Sequence, residues 1–355
     1  MNYMSTHVIT LTKKIVIGEK VLESIKEHMP RSLLRSSGKV LVVTGPNVWR
    51  SYGDKLMSSL HKCGLEVEEF LAENSHIDTA KQAIDAAERI KATAIVGFGG
   101  GKSIDVAKYT ASSLQKPFIS IPTAPSHDGI ASPFASIKGL GKPVSIRAVE
   151  PTLLIADMEI ISSSPRRLII AGAGDTVAKF TAVLDWRLAH YLKNEYYGEY
   201  AASLALLSAK HIVKYKDVIA KGTMEGIRII LEALVSSSVA MEIAGSTRPA
   251  SGSEHLFSHA LDMLLEKPAL HGEQTAVGTI MMAKLHRLNW KKIRQVLMDI
   301  GAPVNAKQLG IPEEKIIEAL TIAHRIRPER YTILGETGLT WEAAEKLARE
   351  TMVIS

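Results

Sequence analysis

The chain has 355 residues, of which 46% are hydrophobic and 23% charged, with one Cys and a formal net charge of +6. At roughly 100–200 residues per domain this length suggests two domains, each able to bury a core. The composition excludes a disordered, collagen-like or heptad-dominated chain. Cys63 can form no internal disulfide and cannot head a Cys-rich metal site, so a reducing setting is expected. No apolar run approaches the ~18 residues needed to cross a bilayer. Met1 to Thr12 carries no basic-then-apolar leader pattern. A soluble, cytoplasmic protein without membrane insertion is expected. Lys and Arg are interspersed with acids, as in Glu342 to Glu350, and only 5% of residues are aromatic. That argues against a nucleic-acid partner and suits an anionic small substrate.

The first half alternates β-branched runs with helical stretches. Lys39–Thr44 reads as a buried strand ended by a Gly45-Pro46-Asn47 turn. A helix through Leu56 and Leu60 follows, then a strand around Leu65 to Leu71. Asp78 is the expected cap of the next helix, which runs to about Lys91. Ala94–Phe98 is a third strand, stopped by Gly99-Gly100-Gly101. Asp105 to Leu114 reads as helix and Pro117–Pro122 as a fourth strand. Such alternation predicts βαβ units and a parallel sheet, with ligands at the carboxyl ends of the strands.

After about residue 160 the texture is helical. Ser162-Ser163-Ser164-Pro165 marks a helix start. Tyr200 to Tyr215, Gly226 to Ala244 and Ile311 to Ile326 carry helical periodicity. A helical half joined near residues 157–164 is the expectation, with a cleft between the halves as the place for ligands.

Three segments suit chemistry. Gly99-Gly100-Gly101-Lys102-Ser103 lies where a strand meets a helix, so backbone N–H groups can approach a pyrophosphate without an intervening Cβ. It is neither GxGxxG nor the P-loop spacing. Pro122 to Gly129, dense in hydroxyls and turn formers, sits at the same sheet edge, and Asp128 there suits a substrate hydroxyl. Asp175, after Ala171-Gly172-Ala173-Gly174, is the third. With His255 and His259 at i and i+4 on one helix face, and His271 beyond, it offers a carboxylate and two or three imidazoles to Zn²⁺. Lys179, one turn after Asp175 on the same helical face, and Arg248 are candidate cations for a substrate phosphate, or partners of a carboxylate. Cys63 reads as a bystander.

The stretch Ser246 to Asp262, with Gly-Gly-Gly-Lys-Ser-Ile-Asp at 99–105 and Ala-Gly-Ala-Gly-Asp at 171–175, resembles the iron-containing alcohol dehydrogenase and glycerol dehydrogenase superfamily, which includes dehydroquinate synthases. Within it the chain is most similar to the archaeal sn-glycerol-1-phosphate dehydrogenases. The resemblance implies a dehydroquinate synthase-like fold. Residues 1–160 would form a Rossmann-like, NAD(P)-binding α/β domain with a parallel sheet, and residues 161–355 an all-α metal- and substrate-binding domain. It implies one Zn²⁺ per subunit on Asp175, His255 and His271. Asp128, Asp175 and His259 would face the substrate as catalytic residues. Gly99, Gly100, Gly101, Lys102, Ser103, Thr123, Ala124, Pro125, Ser126 and Ser132 would hold NAD(H) or NADP(H). The implied reaction is reversible reduction of dihydroxyacetone phosphate to sn-glycerol 1-phosphate for archaeal membrane phospholipids, in a homo-oligomer. A glycerol or polyol dehydrogenase of the same superfamily is the alternative. Ribose contacts from Asn47, Glu68, Glu69 or Glu73 are open.

Overall fold

The structure is a computed structural model and describes residues 6–35, 38–139 and 144–355. Eight strands occur among them: β1 Ile15–Gly18, β2 Lys39–Thr44, β3 Glu66–Leu71, β4 Ala94–Gly99, β5 Phe118–Pro122, β6 Phe134–Ile137, β7 Val144–Arg147 and β8 Leu153–Asp157. Six of them form one parallel sheet in the order β1-β8-β5-β4-β2-β3. β6 and β7 pair antiparallel as a separate ribbon.

The sheet is parallel because helices cross over between its strands and cover both faces. On β2, Val40 and Val42 pack into one face's core, with Phe98, Ile121 and Ile155. Leu41 and Val43 pack into the other, with Ile95, Ile104 and Phe118. Between β2 and β3 runs α1 Pro46–His61, α2 Ile77–Arg89 leads into β4, and α3 Gly101–Ser113 leads into β5.

Beyond Asp157, the described residues contain helices and no strand. The longer ones are α4 Arg166–Val177, α5 Lys179–Lys193, α6 Glu199–Lys214, α7 Met224–Ala244, α8 Ser253–Leu264, α9 His271–Leu285, α10 Trp290–Ile300, α11 Glu313–Ile326 and α12 Trp341–Glu350. Their apolar core extends to Leu154 and Ala156 of β8 and to Ile130, so one packed surface joins the sheet to the helices.

Several boundaries differ from the sequence reading. Gly45-Pro46-Asn47 is not a free turn: Gly45 is the N-cap of α1 and Pro46 its first residue, where the missing N–H costs nothing. Helix α2 is capped by His76, not Asp78, through Asp78 N–H donating to His76 Nδ1 at 3.3 Å. Helix α3 begins at Gly101, not Asp105, so Gly101, Lys102 and Ser103 form its first turn. β1, β8 and the β6–β7 ribbon have no counterpart in the expected strands. Each has only four or five residues, too few for a periodicity to declare itself.

Candidate active site and metal centre

β2 and β4 are sheet neighbours, yet the next strands in sequence go to opposite sides of this pair, β3 beyond β2 and β5 beyond β4. The crevice outside the carboxyl ends of β2 and β4 is therefore the topological switch point of the sheet, where such folds hold nucleotides. Gly99 ends β4 there with φ +151, a conformation rarely open to side-chain-bearing residues. A Cβ on Gly100 would meet nothing within 4 Å, so the turn faces open space. The amides of Gly101, Lys102 and Ser103 point from the α3 N-terminus without intrahelical acceptors. Thr123 N–H donates to Gly99 O at 2.9 Å and ties the post-β5 loop, with Ala124, Pro125 and Ser126, to the glycine turn. Ser132 is buried at the far end of that loop, its N–H donating to Asp128 O at 3.2 Å. The ribose candidates are less decisive: Arg89 Nη2 donates to Glu68 at 2.5 Å.

His127 was not among the expected site residues. Its Nδ1 accepts from Gly129 N–H at 2.9 Å, and its ring stands edge-on to His271 with centroids 6.4 Å apart. A Cβ on Gly101 would fall 2.0 Å from His127 Nε2, so this imidazole lies directly over the glycine turn and reaches toward the histidine cluster. The loop pattern alone, without distances, gave no sign of this bridge.

Asp175, His255 and His271 come together, each offering one ligand atom, with all three atoms within 4.8 Å of one another. Small residues allow the convergence. A Cβ on Gly272 would be 1.9 Å from Ala171 O, and one on Gly172 1.8 Å from Pro125 O. Helices α4 and α9 and the Pro125 loop therefore cross at backbone contact, which Ala-Gly-Ala-Gly at 171–174 permits.

Around the three ligands the polar network is dense. His255 Nε2 lies 3.4 Å from Asp175 Oδ1, while its Nδ1 lies 2.8 Å from Glu254 Oε1. Glu254 is fully buried and also accepts from Gly252 N–H at 2.6 Å and Thr181 Oγ1 at 2.6 Å. His271 Nδ1 sits 3.2 Å from Ser258 Oγ. One carboxylate oxygen and two imidazole nitrogens, with the far nitrogen of His255 fixed by a carboxylate, fit a divalent ion such as Zn²⁺.

Lys179 does not stand ready for a phosphate. Its fully buried Nζ lies 2.8 Å from Asp128 Oδ2 and 3.0 Å from Asp175 Oδ1, clamping the two carboxylates together. Asp128 N–H donates to Asp175 Oδ2 at 3.0 Å, and Ser237 and Ser238 on α7 donate to Asp128 Oδ2 at 2.9 Å and to its carbonyl at 2.6 Å. Burial alone would raise the Asp175 carboxyl, but the Lys179 ammonium and His255 hold it well below the usual range. Burial opposes the Lys179 charge, which Asp128 and Asp175 overcome, so its ammonium is held above its ordinary value. For His255, burial is outweighed by Asp175 and Glu254, which raise it. Burial pushes His271 well down, as does the charge of His255. Burial likewise lowers His259, whose ring stacks on His271 at 5.8 Å.

Arg248, the second expected phosphate cation, is also committed elsewhere. Its Nε donates to Glu195 Oε1 at 2.6 Å, its Nη2 to Glu195 Oε2 and its Nη1 to Tyr331 O at 2.8 Å. Cys63 is buried, and its thiol donates to Ser59 O at 3.4 Å, consistent with a packing role.

Residues 16–165 match the family model described as iron-containing alcohol dehydrogenase. A glycerol-1-phosphate dehydrogenase (NAD(P)+) of Hyperthermus butylicus is 56% identical over 348 residues, covering 98% of this chain and 99% of the relative. One of the same name from Sulfurisphaera tokodaii is 54% identical, covering 99% of each. This chain belongs to the glycerol-1-phosphate dehydrogenase family. The fold of the family member agrees with more distant solved structures. Glycerol dehydrogenase of Schizosaccharomyces pombe superposes with a TM-score of 0.81 at 19% identity, over 98% of this chain and 91% of that one. The NADH-dependent butanol dehydrogenase A of Thermotoga maritima gives 0.74 at 20% identity, over 98% and 99%. At such identities they bear on the fold alone: the dehydroquinate synthase-like arrangement of iron-dependent alcohol dehydrogenases. No helix among the described residues is long and apolar enough to cross a membrane.

Proposed function

We propose that this chain catalyses the reversible NAD(P)H-dependent reduction of dihydroxyacetone phosphate to sn-glycerol 1-phosphate, the backbone of archaeal membrane phospholipids. The observation that carries this reading is identity of 51–56% with glycerol-1-phosphate dehydrogenases along essentially the whole chain. The convergence of Asp175, His255 and His271 supports it. A glycerol or polyol dehydrogenase shares the fold but not this sequence similarity.

Asp175, His255 and His271 would hold the ion, whose Lewis acidity polarises a ketone oxygen where negative charge develops. A bound nicotinamide would supply the hydride-transfer chemistry. The remaining work falls to the chain's own side chains. The α3 first turn, with Gly99 to Ser103, and the Thr123–Ser126 loop with Ser132 receive the dinucleotide at the switch point. Lys179 keeps Asp128 and Asp175 at fixed separation, so the substrate-facing and ligand carboxylates move as one unit. Asp128 accepts a hydrogen bond from a substrate hydroxyl. His259, kept neutral by burial, pairs with a second substrate oxygen and serves in proton exchange. Residues 1–160 act as the nucleotide-binding domain and residues 161–355 as the metal- and substrate-binding domain. A cytoplasmic homo-oligomer handling a small phosphorylated substrate completes the reading.

The test pairs metal analysis of purified protein with NADH oxidation on dihydroxyacetone phosphate. His271→Ala removes bound metal and turnover together. Metal retained in His271→Ala would falsify the ligand assignment, and turnover retained without metal would remove the ion from the chemistry.

A further inference from the structure

The proposed substrate carries a phosphate dianion, and the two cations first expected to meet it, Lys179 and Arg248, are occupied, as are Arg167 and Lys108. Lys179 lies between two carboxylates, Arg248 is gripped by Glu195, and Arg167 donates to both oxygens of Glu273 at 2.6 and 2.7 Å. Lys108 donates to the carbonyls of Gly129 and Phe134. Beside helix α8, which carries His255 and His259, two further guanidiniums are found.

The loop after α11 runs Arg327-Pro328-Glu329-Arg330-Tyr331. Helix α11 packs along α8, so this loop emerges next to the histidine face. Arg330 Nη1 donates to Ser251 O at 2.6 Å and its Nη2 to Thr247 Oγ1 at 2.6 Å. Both acceptors are neutral, and Ser251 immediately precedes Gly252, the N-cap of α8. Arg327 lies close enough for its charge to bear on His259. Its Nε is 3.3 Å from Glu329 Oε1, whose side chain is largely exposed. Arg248 stands in the same group, with Glu195 as its counter-ion.

Three guanidiniums thus gather at one end of the histidine cluster, and only one holds a bidentate carboxylate. Burial, with Arg327 and Arg248 nearby, pulls the Arg330 guanidinium down to about 9, against the opposing pull of Glu195 and Glu329. A planar fork of donors fixed by two neutral oxygens is suited to bind a tetrahedral anion in defined orientation.

We propose that Arg330, assisted by Arg327, forms the phosphate subsite of the substrate pocket and sets the preference for a phosphorylated three-carbon ketone over its unphosphorylated counterpart. The proposal rests on the reaction given above. Arg330 bonds the turn just before the ligand-bearing helix, so the phosphate end is referenced to the same backbone that positions His255 and His259.

The experiment compares kcat/KM for dihydroxyacetone phosphate and for dihydroxyacetone in wild type, Arg330→Met, Arg330→Lys and Arg327→Met, all Zn²⁺-loaded and checked for metal content. Competitive inhibition by inorganic phosphate is measured alongside. In Arg330→Met the preference ratio should fall on the order of 10²-fold and the inhibition constant for phosphate should rise. Arg330→Lys should keep part of the preference, and Arg327→Met should lose less. If Arg330→Met does not fold, Arg330→Lys and Arg327→Met decide by the same ratio. A strong wild-type preference that survives unchanged in the variants overturns the subsite alone. A wild type without preference for the phosphorylated ketone overturns the substrate assignment, and the subsite with it.

Discussion

Glu254 Oε1 lies 2.8 Å from His255 Nδ1, while His255 Nε2 faces Asp175 Oδ1 at 3.4 Å. A carboxylate against one ring nitrogen fixes the tautomer with hydrogen there and leaves Nε2 as the electron-pair donor. Glu254→Gln keeps the shape and removes the charge. Zn²⁺ affinity, read by competition with a chromogenic chelator, should weaken roughly 10–100-fold. Thr181→Val, which deletes only one donor to Glu254, should have a smaller effect in the same direction. Unchanged affinity in Glu254→Gln would show that the contact is packing and nothing more.

The crossing of α4 over α9 leaves no room for a methyl group at Gly272, where a Cβ would meet Ala171 O at 1.9 Å. Gly272→Ala should cost about 1–3 kcal/mol or more through forced separation of the helices. Because Asp175 and His271 ride on those two helices, metal affinity should fall along with the melting temperature. A variant that melts like wild type and binds Zn²⁺ normally contradicts the backbone contact described above.

Lys108 is buried on α3, and its Nζ donates to Gly129 O at 2.7 Å and Phe134 O at 2.6 Å. These carbonyls flank the turn that follows Asp128. Burial pulls the ammonium down to about 8, yet the two carbonyls and nearby Asp105, 3.9 Å away, still favour its charge at neutral pH. Lys108→Met removes the ammonium that makes both hydrogen bonds and leaves Asp105 without its nearest cation. A loss of about 3–5 kcal/mol in denaturant unfolding is expected, and KM for the ketone should rise as the Asp128 turn loosens. Only a small change in both would place the anchoring of that turn elsewhere.

Glu242, buried on α7, accepts from Thr12 Oγ1 at 2.5 Å and from Thr12 N–H at 3.2 Å. Burial pushes its carboxyl up to about 7 from an ordinary 4.5. The folded chain therefore holds a proton that the unfolded chain releases between those values. This contribution to stability is fully present below about pH 4.5 and is lost as pH rises through about 7. Wild type should lose stability over that window, whereas Glu242→Gln should show a flatter profile and be the more stable of the two near pH 8. Parallel profiles for the two proteins would exclude Glu242 as the titrating group.

The sequence pattern carried the architecture where runs were long. Lys39–Thr44 is bounded as expected, and Tyr200 to Tyr215 and Gly226 to Ala244 fall within a residue or two of α6 and α7. The candidate ligands stood out because Asp, His and His bring metal chemistry with them as residue types. What stayed hidden depended on partners distant in sequence. Glu254 is one acidic residue among many until Thr181, Gly252 and His255 are seen around it. Arg248 looked like an available cation because its counter-ion, Glu195, lies about 50 residues away in the chain; for Lys179 the nearby Asp175 was legible as a partner, but Asp128, the second carboxylate, was not. His127 escaped notice because its significance is its position over Gly101. Arg330 has no motif at all.

The sheet order also constrains when the protein can be built. β1, the first strand among the described residues, pairs with β8, whose last residue is Asp157. Its sheet partner is therefore available only once Leu153–Asp157 has been made. Its four half-buried residues, Ile15-Val16-Ile17-Gly18, form a short edge that is poorly suited to premature association with another nascent strand. The strand that β1 needs is followed shortly by helix α4, which carries Asp175, so the edge of the sheet and the metal-binding carboxylate are specified by one stretch of chain.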